Sequence, residues 1–186
     1  MIDRYKAIRA ILRKVAPEDL VLSTTGMISR EVFVTLDRPG NFYMIGSMGL
    51  LSSFGLGMAI QFPEKNVYIL EGDGSALMSL GAIPLIATES PSNLFHVILD
   101  NEAYESTGAQ PSISAMVDLG EIAKSSGYPH VDRSENLKDL EDALSACDAN
   151  LGPHLILVKC GIAPVPGIPR IPHLPTEIRD RFKDQF

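Results

Sequence analysis

Gly72-Asp73-Gly74 is followed directly by Ser75 and, 28 residues beyond Asp73, by Asn101. Each motif closes an apolar run, Val67 to Leu70 in one case and Phe95 to Leu99 in the other. A carboxylate and a neutral amide oxygen are hard donors that suit Mg²⁺, which takes one or two protein groups and fills its octahedron with phosphate and water. Glycines on both sides of the aspartate let bare backbone approach phosphate oxygens, and a helix opening at Ser75 would aim free N–H groups at them. The chemistry implied is capture of a diphosphate through a divalent cation. An ordinary Gly-Asp-Gly turn is the competing reading of that motif alone.

Such donors must be carried to one place by the fold. Short apolar runs at Leu20–Leu22, Phe42–Ile45, Val67–Leu70, Phe95–Leu99 and Leu155–Val158 predict buried parallel strands. Helices are predicted at Ile2–Val15, Ile28–Leu36, Leu50–Phe62, Ala76–Thr88, Leu119–Ser126 and Leu137–Cys147, with Pro17, Pro39, Pro63, Pro91 and Pro129 marking stops and connections. This alternation predicts an α/β fold: a doubly wound, mainly parallel sheet with helices on both faces and a ligand crevice off the carboxyl ends of its strands. Gly55-Leu56-Gly57 lies inside a helical pattern and reads as close helix packing, not as a nucleotide loop.

Residues 1–186 read as one domain with a proline-rich extended arm at 163–175, followed by a short charged helix from Thr176. The arm is expected to pack on the domain or on a neighbouring subunit. A net charge of −7 with dispersed Lys and Arg argues against nucleic acid and anionic membranes as partners but permits a small anion. No apolar stretch is long enough to span a bilayer, and no signal peptide is evident. Cys147 and Cys160 form no metal-binding pair and read as reduced thiols of a cytoplasmic protein. His96, His130, His154 and His173 read as structural, and Arg30 is weighed between a surface position and contact with a substrate anion.

The span 67–108, VYILEGDGSALMSLGAIPLIATESPSNLFHVILDNEAYESTG, resembles the diphosphate-binding domain of thiamine-diphosphate-dependent enzymes, whose signature is GDG with an asparagine about thirty residues on. Residues 22–31 (LSTTGMISRE) and 37–49 (DRPGNFYMIGSMG) are similar to the start of this domain in phosphonopyruvate and sulfopyruvate decarboxylases. Val165 to Pro172 and residues 177–182 (EIRDRF) are similar to the small, beta subunit of sulfopyruvate decarboxylase.

The resemblance implies thiamine diphosphate and Mg²⁺ as cofactors, with Asp73, Asn101 and the Ala103 carbonyl on the metal. Cofactor contacts would fall to Thr25, Gly26, Gly72, Gly74, Ser75 and Tyr104. Gly46, Ser47 and Met48 would grip the aminopyrimidine, with the Met48 side chain wedging the cofactor into its bent form; a gap-filling core methionine is the plain alternative. Ser106 and Thr107, in the loop expected to cover the cofactor, would either bond an anionic substrate or cap the loop. Thr107 stands where pyruvate decarboxylases carry a catalytic glutamate.

The activity implied is decarboxylation of 3-sulfopyruvate to sulfoacetaldehyde and CO₂, a step toward coenzyme M, by a carbon–carbon lyase. The family also needs a glutamate at the pyrimidine N1′, and no glutamate here stands in the matching context. A pyrimidine-binding alpha subunit is therefore the expected partner, in a hetero-oligomer with self-association. A phosphonopyruvate decarboxylase or another 2-oxoacid decarboxylase subunit is the near alternative. A non-catalytic regulatory subunit that binds cofactor without turnover is the alternative of another class.

Overall fold

The computed structural model describes residues 1–148, 151–162 and 166–186. In chain order the elements are β1 (Ile2–Asp3), α1 (Arg4–Leu12), β2 (Leu20–Ser23), α2 (Met27–Thr35), β3 (Asn41–Tyr43), α3 (Leu51–Gln61), β4 (Val67–Gly72), α4 (Asp73–Met78), α5 (Ala82–Glu89), β5 (Leu94–Asp100), β6 (Ala103–Tyr104), β7 (Gln110–Pro111), α6 (Leu119–Ser126), β8 (His130–Ser134), α7 (Leu137–Ala146), β9 (His154–Gly161) and α8 (Pro175–Lys183). Seven strands form one parallel sheet in the order β1-β9-β5-β4-β2-β3. β8 joins it by pairing with residues 154–158 of β9, while β1 pairs further along at Cys160 and Gly161.

The sheet is doubly wound, with a separate core on each face. Side chains alternate across a strand, so Tyr68 and Leu70 of β4 face one core with Phe95, Val97 and Leu99 of β5, while Val67, Ile69, Leu94 and Ile98 face the other. Helices α1, α2 and α7 cover the first face, and α3, α5 and α6 the second. Gly55 of α3 is required by this packing, because a Cβ there would lie 2.3 Å from the Ile69 side chain. Gly57 faces open space and carries no such constraint.

Several predicted boundaries need correction. The helix expected from Ile2 begins at Arg4, since Ile2 and Asp3 pair with β9 and Asp3 then caps the helix by accepting from the Lys6 N–H at 3.1 Å. The single helix expected over Ala76–Thr88 is two helices broken at Ser79–Gly81, and the first starts at Asp73 itself. Strand β8 was missed because His-Val-Asp-Arg-Ser is a polar, half-exposed run at the sheet edge. Residues 163–165 of the expected arm lie outside the described residues. From 166 to 174 the arm holds no helix or strand, and Ile171 packs against the first core. The C-terminal helix α8 runs from Pro175, its start fixed by the Glu177 carboxylate accepting from the Leu174 N–H at 2.7 Å.

The connections place the chemistry. β2 leads outward to β3, and the chain then crosses back to β4 on the opposite side of β2 before continuing to β5. The strand order therefore reverses between β2 and β4, the point where open α/β sheets hold ligands.

Candidate functional site at the sheet switch point

A cleft opens at this reversal. Its walls come from the ends of β2 (Thr24, Thr25), β4 (Gly72 to Ser75) and β5 (Leu99, Asn101), together with Met48 from the turn after β3. The loop after β5 closes one side with Ala103, Tyr104, Glu105 and Ser106.

Asp73 is 1% exposed. Its Oδ2 accepts from the Ser112 hydroxyl, and the Ser114 hydroxyl lies 3.0 Å from it and 2.7 Å from Asp100, with one proton to share between the two carboxylates. Lys159 pairs with Asp100 at 2.7 Å and Glu102 at 2.5 Å, so among the described residues Asp73 has neutral donors but no cationic partner. Burial, with the Asp100 charge adding to it, pushes the Asp73 carboxyl above the usual range despite the serine hydrogen bonds.

Asn101 is fixed by its neighbours. Its Oδ1 accepts from the Ala103 N–H at 3.1 Å, and its Nδ2 donates to Glu105 at 3.2 Å. Glu105 is held in turn by Arg4, which also forms a two-pronged pair with Glu31 at 2.7 and 2.8 Å. Arg4 is 3% exposed and Glu31 0%. Burial alone would lower the Arg4 pKa, but the two carboxylates hold the guanidinium firmly protonated.

Ser75 joins three segments. It donates to Glu71 at 2.8 Å and accepts from the Gly49 N–H at 3.2 Å and from Thr24 at 3.3 Å. Glu71 also takes Ser52 and His96, the latter at 2.6 Å, and His96 bonds Tyr128 at 3.1 Å, all inside the protein. The Ser75 hydroxyl is thus committed inward, and what remains for a cleft ligand is its backbone N–H in the first helical turn. Gly74 is also required by packing: a Cβ there would sit 2.4 Å from the Tyr104 ring.

Met48 lines the cleft and belongs to neither core cluster. It sits between Ser47 (φ 55°) and Gly49 (φ 92°), a tight turn that lifts it from the end of β3. Gly26 is also at positive φ (99°), in the turn between β2 and α2. Four of the expected residues stand outside the cleft. Gly46 and Ser47 border a shallow hollow shared with Pro175 and Ile178. Gly26 lines a neighbouring cavity, and Thr107 is exposed, donating to the Tyr104 carbonyl at 3.2 Å and the Gln110 amide oxygen at 2.9 Å as a loop-holding hydroxyl. Arg4, Glu31, Glu105, Ser112 and Ser114 were not foreseen, because contacts spanning 27 to 101 residues leave no local pattern.

The donor set fits a metal diphosphate. A buried carboxylate without a cation faces the cleft, while Glu105 beside it is already paired with Arg4, so the charge a divalent cation would relieve is that of Asp73. Among the described residues no three His, Cys, Asp or Glu side chains cluster as a self-sufficient metal site.

Residues 24–158 match the model of the thiamine pyrophosphate enzyme, C-terminal TPP binding domain. The chain belongs to this thiamine pyrophosphate enzyme family. It is 42% identical over 168 residues to the sulfopyruvate decarboxylase subunit beta of Methanothermobacter thermautotrophicus, covering 90% of this chain and 88% of that one. It is 40% identical over 183 residues to the phosphonopyruvate decarboxylase of Streptomyces hygroscopicus, covering 97% of this chain and 45% of the relative, so it spans a little under half of that protein. The benzoylformate decarboxylase structure from Polynucleobacter necessarius shares the fold, with a TM-score of 0.70 at 18% identity over 89% of this chain and 34% of that one. No helix among the described residues is long and apolar enough to cross a membrane.

Proposed function

We propose that this chain is the diphosphate-binding subunit of a thiamine-diphosphate- and Mg²⁺-dependent decarboxylase that converts 3-sulfopyruvate to sulfoacetaldehyde and CO₂. The observation that carries this reading is the 42% identity that extends over 88% of a relative named as the beta subunit of sulfopyruvate decarboxylase. Bound in the cleft, thiamine diphosphate supplies a nucleophilic carbon and an electron sink for the departing CO₂.

The chain's own residues would orient and shield that chemistry. Asp73, Asn101 and the Ala103 carbonyl would hold the metal, and the backbone N–H groups of Gly74 and Ser75 would meet the diphosphate. Thr25, Gly26, Gly72 and Tyr104 would complete the cradle. The Met48 N–H would align the aminopyrimidine, with the Met48 side chain holding its bend. Ser106, on the covering loop, would meet the substrate, while Thr107 would keep that loop in shape through Tyr104 and Gln110. Arg4 would keep Glu105 drawn against the wall, away from the ligand.

The glutamate that activates the pyrimidine would come from a partner alpha subunit in a hetero-oligomer, as the beta designation of the relatives supports. Phosphonopyruvate decarboxylation is the second reading, favoured by the 40% identity to a protein of that name. The test combines the chain with a pyrimidine-binding subunit, thiamine diphosphate and Mg²⁺ and follows CO₂ release. Turnover of sulfopyruvate well above phosphonopyruvate and pyruvate is expected. A preference for phosphonopyruvate would transfer the assignment to the second reading, and no release from any 2-oxoacid despite bound cofactor would favour a regulatory subunit.

A further inference from the structure

A second cavity, of about 290 Å³, lies beside the cleft and shares the Thr25 wall with it. Two arginines line it, Arg30 from the first turn of α2 and Arg170 from the arm, and no carboxylate does. Among the described residues neither guanidinium has an ion pair or a hydrogen-bond partner. The chain carries 23 acidic residues against 16 Lys and Arg, yet none of its described carboxylates lines this hollow.

Independent features point the same way. Helix α2 begins at Gly26 with no side-chain cap and no acidic residue in its first turn, so its positive end is uncompensated. Arg170 is positioned by its C-terminal neighbours, since Ile171 packs on the core and His173 and Arg181 both reach Asp37, at 3.3 and 3.0 Å. Met44 and Ile45 supply an apolar floor. The cavity has room for a tetrahedral oxyanion on a short carbon stem.

We propose that Arg30 and Arg170 form the receptor for the anionic tail of the substrate, a sulfonate or phosphonate group, whose reacting end sits past Thr25 in the cofactor cleft. Guanidinium forks bind such oxyanions through paired N–H donors. The proposal rests on the decarboxylase reading and gives the proline-rich arm a role: it carries the second arginine to the site.

The experiment titrates the full chain, in complex with a pyrimidine-binding subunit and in the presence of thiamine diphosphate and Mg²⁺, with sulfoacetate, phosphonoacetate and acetate, by calorimetry. Arg30→Gln and Arg170→Gln are compared with the parent, and cofactor binding is measured in the same samples. Each substitution should weaken sulfoacetate or phosphonoacetate about tenfold, the loss of a charge-assisted contact, with acetate scarcely bound and cofactor affinity unchanged. The tighter of the two tailed acids identifies the tail chemistry. Equal affinity in parent and variants, or no binding of either tailed acid while cofactor binds, would overturn the receptor and leave the cofactor assignment intact. Arginine-dependent anion binding without cofactor binding would retain the receptor and reject the decarboxylase. Loss of subunit association at unchanged anion affinity would show that the arginines serve a partner's carboxylates, and would also overturn the proposal.

Discussion

Asp73 concentrates the residue-scale argument. It is buried without a cation, and its neighbours Ser112 and Ser114 satisfy one oxygen with neutral donors. Asp73→Ala should therefore abolish the Mg²⁺-dependent stabilisation that thiamine diphosphate gives the assembled protein. For the parent that rise reaches about 2.7 kcal/mol at a hundredfold excess over Kd, and thermal melts with and without Mg²⁺ report it; an undiminished rise in the variant would contradict the ligand set. Met48 makes the opposite prediction. Since it belongs to neither core cluster, Met48→Ala should depress turnover more than it shifts the melting temperature, and a proportional loss of both would return Met48 to a packing role. Asp73, Asn101 and Met48 could be singled out from their neighbours in sequence, whereas Glu105 and Ser112 could not, because what matters about them is which distant atom they meet.

At the scale of elements, two polar ties set how helices seat on the sheet. The first joins α1, α2 and the β5 loop through Arg4, Glu31 and Glu105. Arg4→Met strands a buried Glu31 carboxylate and should lose about 3–5 kcal/mol in urea unfolding, while Arg4→Met with Glu31→Leu should regain much of it. The second joins the loop after α2 to α8. Burial would raise the Asp37 pKa, but Arg181, Tyr43 and His173 hold it below the usual carboxylate range. That contribution is complete above the unfolded value of about 3.9 and disappears as pH falls through the lower folded value. The gap in urea midpoint between the parent and Asp37→Asn should be flat from neutral pH to about pH 5 and narrow below about pH 4, and a gap that widens in acid would refute the assignment. Elements with strong apolar runs, β4 and β5 above all, were legible because both faces of the sheet are covered. β8 and the break between α4 and α5 were not: the former is half exposed, and nothing in Ser79-Leu80-Gly81 outweighs the helical spacing around it.

For the whole molecule, the question is what lies over the cleft. Met48, Ser106 and Arg4 line it, and the described glutamates near them are engaged: Glu105 and Glu31 with Arg4, and Glu71 with Ser75 and His96. On the proposed reading, the acid that activates the pyrimidine comes from a partner subunit. If a partner subunit brings it, the purified chain with thiamine diphosphate and Mg²⁺ should release CO₂ from sulfopyruvate at no more than the uncatalysed rate, and adding a pyrimidine-binding subunit should restore turnover in proportion to complex formed. Substituting the partner's activating glutamate should then abolish turnover without releasing the diphosphate end of the cofactor, because the groups proposed to hold that end, Asp73 and Asn101 foremost, belong to this chain. Robust activity of the chain alone would show instead that the acid is supplied here, and that Glu105 must leave Arg4 to serve.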